Sequence, residues 1–130
     1  MTDKDREEES SDETRERLEA IRAGDGGRYH ADAYGFVLDA VAFTLSDIDE
    51  IRHVTGSELC DGAKKLAVER FGPMAKEVLN FWGVCATEDI GNIVFALVEA
   101  KELSTTEGDS IADFFEVFDF DEAFERDYFA

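Results

Sequence analysis

Proline is nearly missing from this chain: Pro73 is the only one in 130 residues. Long stretches are therefore free to run as helix, since proline is what locks φ and removes a backbone donor. Cysteine is scarce too. Cys60 and Cys85 are the only two, and they form no CxxC pair, so neither a disulfide framework nor a thiolate zinc site has support. Both are expected to be small core residues. The two histidines, His30 and His53, are far apart in sequence, and no metal or other cofactor is expected. No apolar run approaches the ~18 residues that a membrane span requires. The strongly polar first 17 residues do not read as a signal peptide. A cytoplasmic, reducing location and no membrane contact are the resulting expectations. GxSxG, P-loop, GxGxxG and HExxH are all missing, and acidic pairs mean little in so acidic a chain. The chain is not read as an enzyme; an enzyme with an unrecognised site stays an alternative.

Bases are the other shortage. Thirteen Lys and Arg face 32 Asp and Glu, giving a net charge of −19. Such a charge repels itself in ordinary cytoplasm. At molar salt the Debye length falls to about 3 Å, and the repulsion is screened. The acids are spread along the whole chain, which suits an acidic coat in a high-salt cytoplasm. The rival reading is a domain that binds a basic partner.

What is present points to a folded body. Apolar residues make up 44% and aromatics 12%, too many for a disordered chain. The length suits one domain with its own core. Residues 1–11 read as a disordered acidic tail and 12–130 as a single globular domain. Ser10 with Glu13 suggests a capping box and a helix starting near Asp12, with Leu18, Ala20 and Ile21 as its thin apolar edge. The glycines of "GDGG" end it. From Ala31 to Leu45, Tyr34, Val37, Leu38, Val41 and Leu45 recur at helical spacing, widened by Phe36, Ala40 and Phe43. Thr55 and Glu58 form a second capping box before a helix carrying Leu59, Ala63, Leu66, Ala67 and Phe71. Gly72 and Pro73 separate it from a short helix to Trp82, whose Met74, Val78, Phe81 and Trp82 are expected to face inward. Thr87 is the expected N-cap of a last clear helix, with Ile90, Ile93, Val94, Leu97 and Val98 as its stripe and an end near Lys101.

The chain closes on "DFFEVFDFDEAFERDYFA", in which six phenylalanines and a tyrosine alternate with seven carboxylates. Over Ile111–Phe120 a helix template and a strand template compete. The β-propensity of "FFEVFDF", after the strand-like Leu103–Thr106 and a polar turn, favours a small hairpin. Its rings have to be buried, on this chain or on a second copy: each is worth about 1.5–3 kcal/mol when shielded from water. The expected class is mainly α: a compact body of about five helices with a small C-terminal β-hairpin, winged-helix-like.

Four stretches carry a resemblance: "RHVTGSEL", "FGPMAKEVLNFWGV", "TEDIGNIVFALVEA" and "DFFEVFDFDEAF". Together, over about residues 28–124, they resemble a small conserved family of haloarchaea and of planctomycete and verrucomicrobial bacteria. That family has no assigned activity, so the resemblance implies a cytoplasmic, halophilic origin and no chemistry. The order of elements is also similar to a winged helix-turn-helix, with Pro73–Trp82 as supporting helix and Thr87–Lys101 as recognition helix. On that analogy Glu88, Asn92 and Lys101 would face a partner. Glu88 and Asp89 stand where a DNA reader needs bases, which argues against nucleic acid. Arg52 and His53, in a loop before a cap, and the aromatic Phe114, Phe118 and Phe120 complete the candidate interaction residues. The partner expected is the chain itself, as a homodimer, or another protein.

Overall fold

The computed structural model describes residues 3–46, 55–103, 114, 116–120 and 122–126. Five α-helices occupy this part: α1 (Asp3–Gly24), α2 (Ala31–Ser46), α3 (Gly56–Phe71), α4 (Ala75–Phe81) and α5 (Thr87–Glu99). A 3-10 turn, Gly72–Met74, joins α3 to α4, and a π-type turn covers Glu122–Arg126. The protein is mainly helical, as its periodicities require.

Helix α2 is the centre. It packs most extensively against α3, and also against α1 and α5. Its buried residues are Ala31, Ala33, Tyr34, Phe36, Val37, Ala40 and Thr44. Small residues set the close approach of α2 to α3. A side chain on Gly62 would collide with Thr44, whose hydroxyl donates to the Ala40 carbonyl at 2.7 Å. Leu45, expected on the apolar stripe, is exposed instead, and Thr44 takes the inward position.

The capping box at α3 forms as its sequence predicts. The Glu58 amide donates to Thr55 Oγ1 and the Thr55 amide to Glu58 Oε1, both at 3.1 Å. These bonds satisfy donors that the first turn leaves open. Leu59, Cys60, Ala63, Leu66 and Ala67 line the buried face. Gly72 follows with φ +56°, a conformation glycine adopts cheaply.

Three further expectations change. Helix α1 begins at Asp3 rather than near Asp12, so the backbone is helical through most of the stretch read as a tail. Thr87 is not the N-cap of α5 but its first helical residue, fully buried, and Ala86 holds the cap position. No strand occurs among the described residues, and the hairpin is not seen. Phe114 lies in a helical turn and Glu116 has φ +50°. The reason lies in where the backbone donors go. The Glu116 amide donates to Glu88 Oε1 at 2.7 Å and the Val117 amide to Thr87 Oγ1 at 3.3 Å. Side chains at the start of α5 thus receive the bonds that a sheet ladder would need. Of the expected first wing strand, Leu103 is in a bend and 104–106 lie outside the described residues.

Candidate interaction surface

The C-terminal segment is docked on the body. Thr87 Oγ1 donates to the Phe114 carbonyl at 2.6 Å, deep in the protein. The Phe114 ring lies on Gly91 of α5, where a Cβ would come within 2.7–2.8 Å of it. Phe114 also meets Phe95 edge to face, with centroids 6.5 Å apart. Further on, Phe120 contacts Phe124 at 5.1 Å and Phe118 at 5.8 Å. Phe114, Phe120 and Phe124 are buried and Phe118 is half-buried. Lys64 Nζ lies 5.8 Å from the Phe118 ring centre, a cation–π arrangement. These rings therefore belong to the core, and Phe114 and Phe120 have no surface to offer a partner.

The α5 residues proposed to meet a partner are similarly occupied. Glu88 holds the Glu116 amide. Asn92 Nδ2 donates to the Tyr29 hydroxyl at 3.0 Å, which donates to Asp89 Oδ1 at 2.7 Å. Asp89 Oδ2 accepts the amides of Cys85 and Ala86 at 2.9 and 3.1 Å, satisfying donors at the start of α5. This cluster ties the α1–α2 connection to α5. Arg22 Nε strengthens it by donating to the Tyr29 carbonyl at 2.7 Å. Burial, helped by the charge of Asp89, pushes the Tyr29 hydroxyl up to about 12. Tyr34, which donates to Asp25 Oδ2 at 2.7 Å, is raised further for the same reasons. Both phenols stay protonated at neutral pH. They act as donors in a fixed scaffold. Lys101 is exposed just beyond α5, with φ +63°. Arg52 and His53 lie outside the described residues.

The surface that does stand open was expected to be closed. Phe81 is 78% exposed and Met74 56%. Helix α4 has seven residues and therefore one narrow inner face, which Ala75 and Leu79 fill at i, i+4 spacing. Phe81 follows Leu79 by two positions, about 200° around the helix at 3.6 residues per turn, and so points outward. Met74, half-buried Val78 and Phe81 share this outer side. Behind them three helices meet in an aromatic cluster. Trp82 lies 5.7 Å from both Phe36 and Phe71, centre to centre. His30 approaches Phe81 at 5.9 Å, held there as its amide donates to the Trp82 carbonyl at 3.0 Å. Gly83 closes the corner with φ +95°, where a Cβ would press on the Arg28 carbonyl. The spacing of Phe81 from Leu79 shows in the sequence that one of the two must stay open, because one side of a short helix cannot bury both, but not which one.

The described part of the molecule is thus a helical body that buries Phe114, Phe120 and Phe124 of its acidic closing segment and exposes Phe81 and Met74. Neither a family model, nor a curated protein, nor a solved structure matches the chain. Among the described residues no group of His, Cys, Asp and Glu is arranged to hold a metal ion, and no helix is long and apolar enough to cross a membrane.

Proposed function

We propose that this domain is a protein-interaction module and that its docking face is the Met74–Val78–Phe81 side of α4, with His30 and Trp82 at the edge. One observation carries the reading: a phenylalanine 78% exposed and a methionine 56% exposed on the same short helical element, in a chain of net charge −19. Leaving such a ring in water forgoes about 1.5–3 kcal/mol of burial. Exposed apolar side chains backed by a packed aromatic cluster suit an interaction site. A high-salt cytoplasmic setting belongs to the same proposal, supported by the net charge of −19. The winged-helix nucleic-acid reading has less support. Its recognition positions Glu88 and Asn92 are bonded to the chain's own Glu116 and Tyr29.

The test is a photo-reactive benzophenone analogue of phenylalanine at position 81, expressed in the full chain in its host. The same analogue at exposed Glu99 serves as control. Protein adducts at 81 well above those at 99 are expected, whether to another protein or to the chain itself. Equal adduct levels at the two positions overturn the reading.

A further inference from the structure

We infer that the closing segment governs the α4 face: the fastening at the start of α5 holds both in place, and the two open and close as one unit. The inference rests on the interaction reading of α4 and adds its control. It starts from how little α4 can do alone. Isolated helices shorter than about 12 residues are marginal in water, and α4 has seven residues. Its order must come from what it packs on. Its far end is pinned through Trp82, whose carbonyl receives the His30 amide. Along its length it packs chiefly against α3 and against the Glu122–Arg126 turn of the closing segment. Ala123 and Phe124 of that turn are buried, as are Ala75 and Leu79 of α4. The closing segment is therefore one of the main supports of α4.

That support can be withdrawn without breaking the body. Among the described residues no backbone-to-backbone hydrogen bond joins the closing segment to the five helices. The one it makes is internal, from the Ala123 amide to the Asp119 carbonyl at 2.8 Å. The Phe114 carbonyl and the Glu116 and Val117 amides are met by side chains instead, those of Thr87 and Glu88 on one turn of α5. No helix has to unravel for the segment to lift. The fastened state also holds Glu116 at φ +50°, a left-handed conformation that a residue with a Cβ disfavours. Such a conformation persists only where its surroundings impose it. Here Glu88 holds the amide of Glu116 itself and Thr87 holds the next one, so release lets Glu116 relax. Attachment through side chains and a strained residue at the fastening mark a unit that opens below the global unfolding free energy. When it lifts, α4 loses the Glu122–Arg126 turn, and the Met74–Val78–Phe81 side is no longer presented in fixed geometry.

Native-state amide exchange of the full chain at low urea tests this. Glu116, Val117 and the α4 amides of Leu79, Asn80 and Phe81 are expected to share one opening equilibrium, less protected than Val37 in α2. Thr87→Val removes the fastening hydroxyl. It is expected to raise the opening of both groups by the same factor, at least about fivefold. Thr87→Ser keeps the hydroxyl and should bring both back towards wild type. If Thr87→Val does not fold, Glu88→Ala, which removes the acceptor of the Glu116 amide, takes its place. Benzophenone adducts at position 81 should fall in the loosened variant. Faster exchange at Glu116 and Val117 with α4 unchanged overturns the inference. So does α4 exchange as slow as that of Val37, which would mean that α4 opens only with the whole body, and so do adducts that do not fall. In each of these cases wild-type adducts at 81 above those at Glu99 leave the interaction module standing. Equal wild-type adducts at the two positions remove the docking face and the control of it together.

Discussion

Two parts of this molecule are rich in aromatic residues, and they meet opposite fates. Between Phe114 and Phe124 every described ring is buried or half-buried, although carboxylates are interleaved with them. On α4 a ring with no such crowd of acids, Phe81, stands in solvent. The difference does not come from hydrophobicity, which is the same. It comes from backbone anchoring. The terminal segment is held by Thr87 and Glu88, whose side chains take its amides and carbonyl, and Gly91 gives Phe114 a seat. Phe81 belongs to a short helix whose inner side is already full. A ring is buried where the backbone is fixed to bring it home. Exposure at a fixed, well-backed position is therefore better evidence of an interaction surface than aromatic content is.

The sharpest way to break this comparison is to truncate one ring from each region. Phe120→Ala removes a buried ring that contacts Phe118 and Phe124, and is expected to cost about 3–5 kcal/mol in urea unfolding. Phe81→Ala should change stability by less than about 0.5 kcal/mol, as surface substitutions do. Similar losses at the two positions would mean that Phe81 is part of the core.

The seat and the latch are tested next. Gly91→Ala adds a Cβ against the root of the Phe114 side chain. Strain of about 1–3 kcal/mol from overpacking is expected to exceed the ~1 kcal/mol gained by replacing glycine in a helix. Thr87→Val keeps the shape but leaves the buried Phe114 carbonyl without its 2.6 Å donor, at a cost of about 1–3 kcal/mol. Both variants should loosen the terminal segment first, read as faster amide exchange at Glu116 and Val117. A stabilised Gly91→Ala protein would show that the ring is not seated on α5.

A smaller effect comes at alkaline pH. The folded Tyr29 pKa is raised from the ordinary 10 to about 12, and Tyr34 is raised in the same direction. In that window the unfolded chain gives up phenolic protons that the folded chain keeps. The stabilisation is fully present below pH 10 and is lost as pH rises through the folded value. Tyrosinate absorbance should lag for these two residues until the protein unfolds. Free titration of every tyrosine near pH 10 in the folded protein would contradict the Tyr29–Asp89–Asn92 cluster.

The smallest effect is a labelling difference. Cys60 is fully buried, and burial, with Asp61 and Glu88 nearby, pushes its thiol up to about 12; Cys85 is exposed. A thiol reagent should modify Cys85 alone in the native protein and both cysteines in denaturant. Native labelling of Cys60 would place α3 less firmly in the core.

Much of the fold was legible before any coordinates. The Thr55–Glu58 box marks the start of α3 because its two hydrogen bonds depend only on residues three apart. The stripe of Ile90, Ile93 and Leu97 marks the inner face of α5, and all three are buried. Of the candidate interaction residues, Phe114, Phe120, Glu88 and Asn92 proved to be bonded or packed within the chain. Phe81 escapes a sequence reading because an apolar residue in a helix is expected to be buried, whereas it is 78% exposed.

What the sequence by itself determined is what short-range rules can settle: five helices, the Thr55–Glu58 cap, the apolar sides of α3 and α5, and the overall acidity. Each follows from neighbours within a few positions, where helical geometry leaves little choice. The tertiary structure alone decided the route of the terminal segment and the exposure of α4. The amides of Glu116 and Val117 could be satisfied by a strand ladder or by side chains 28 and 30 positions earlier, and local propensity cannot rank the two. Which side of α4 stays open depended likewise on what the rest of the chain had space to cover.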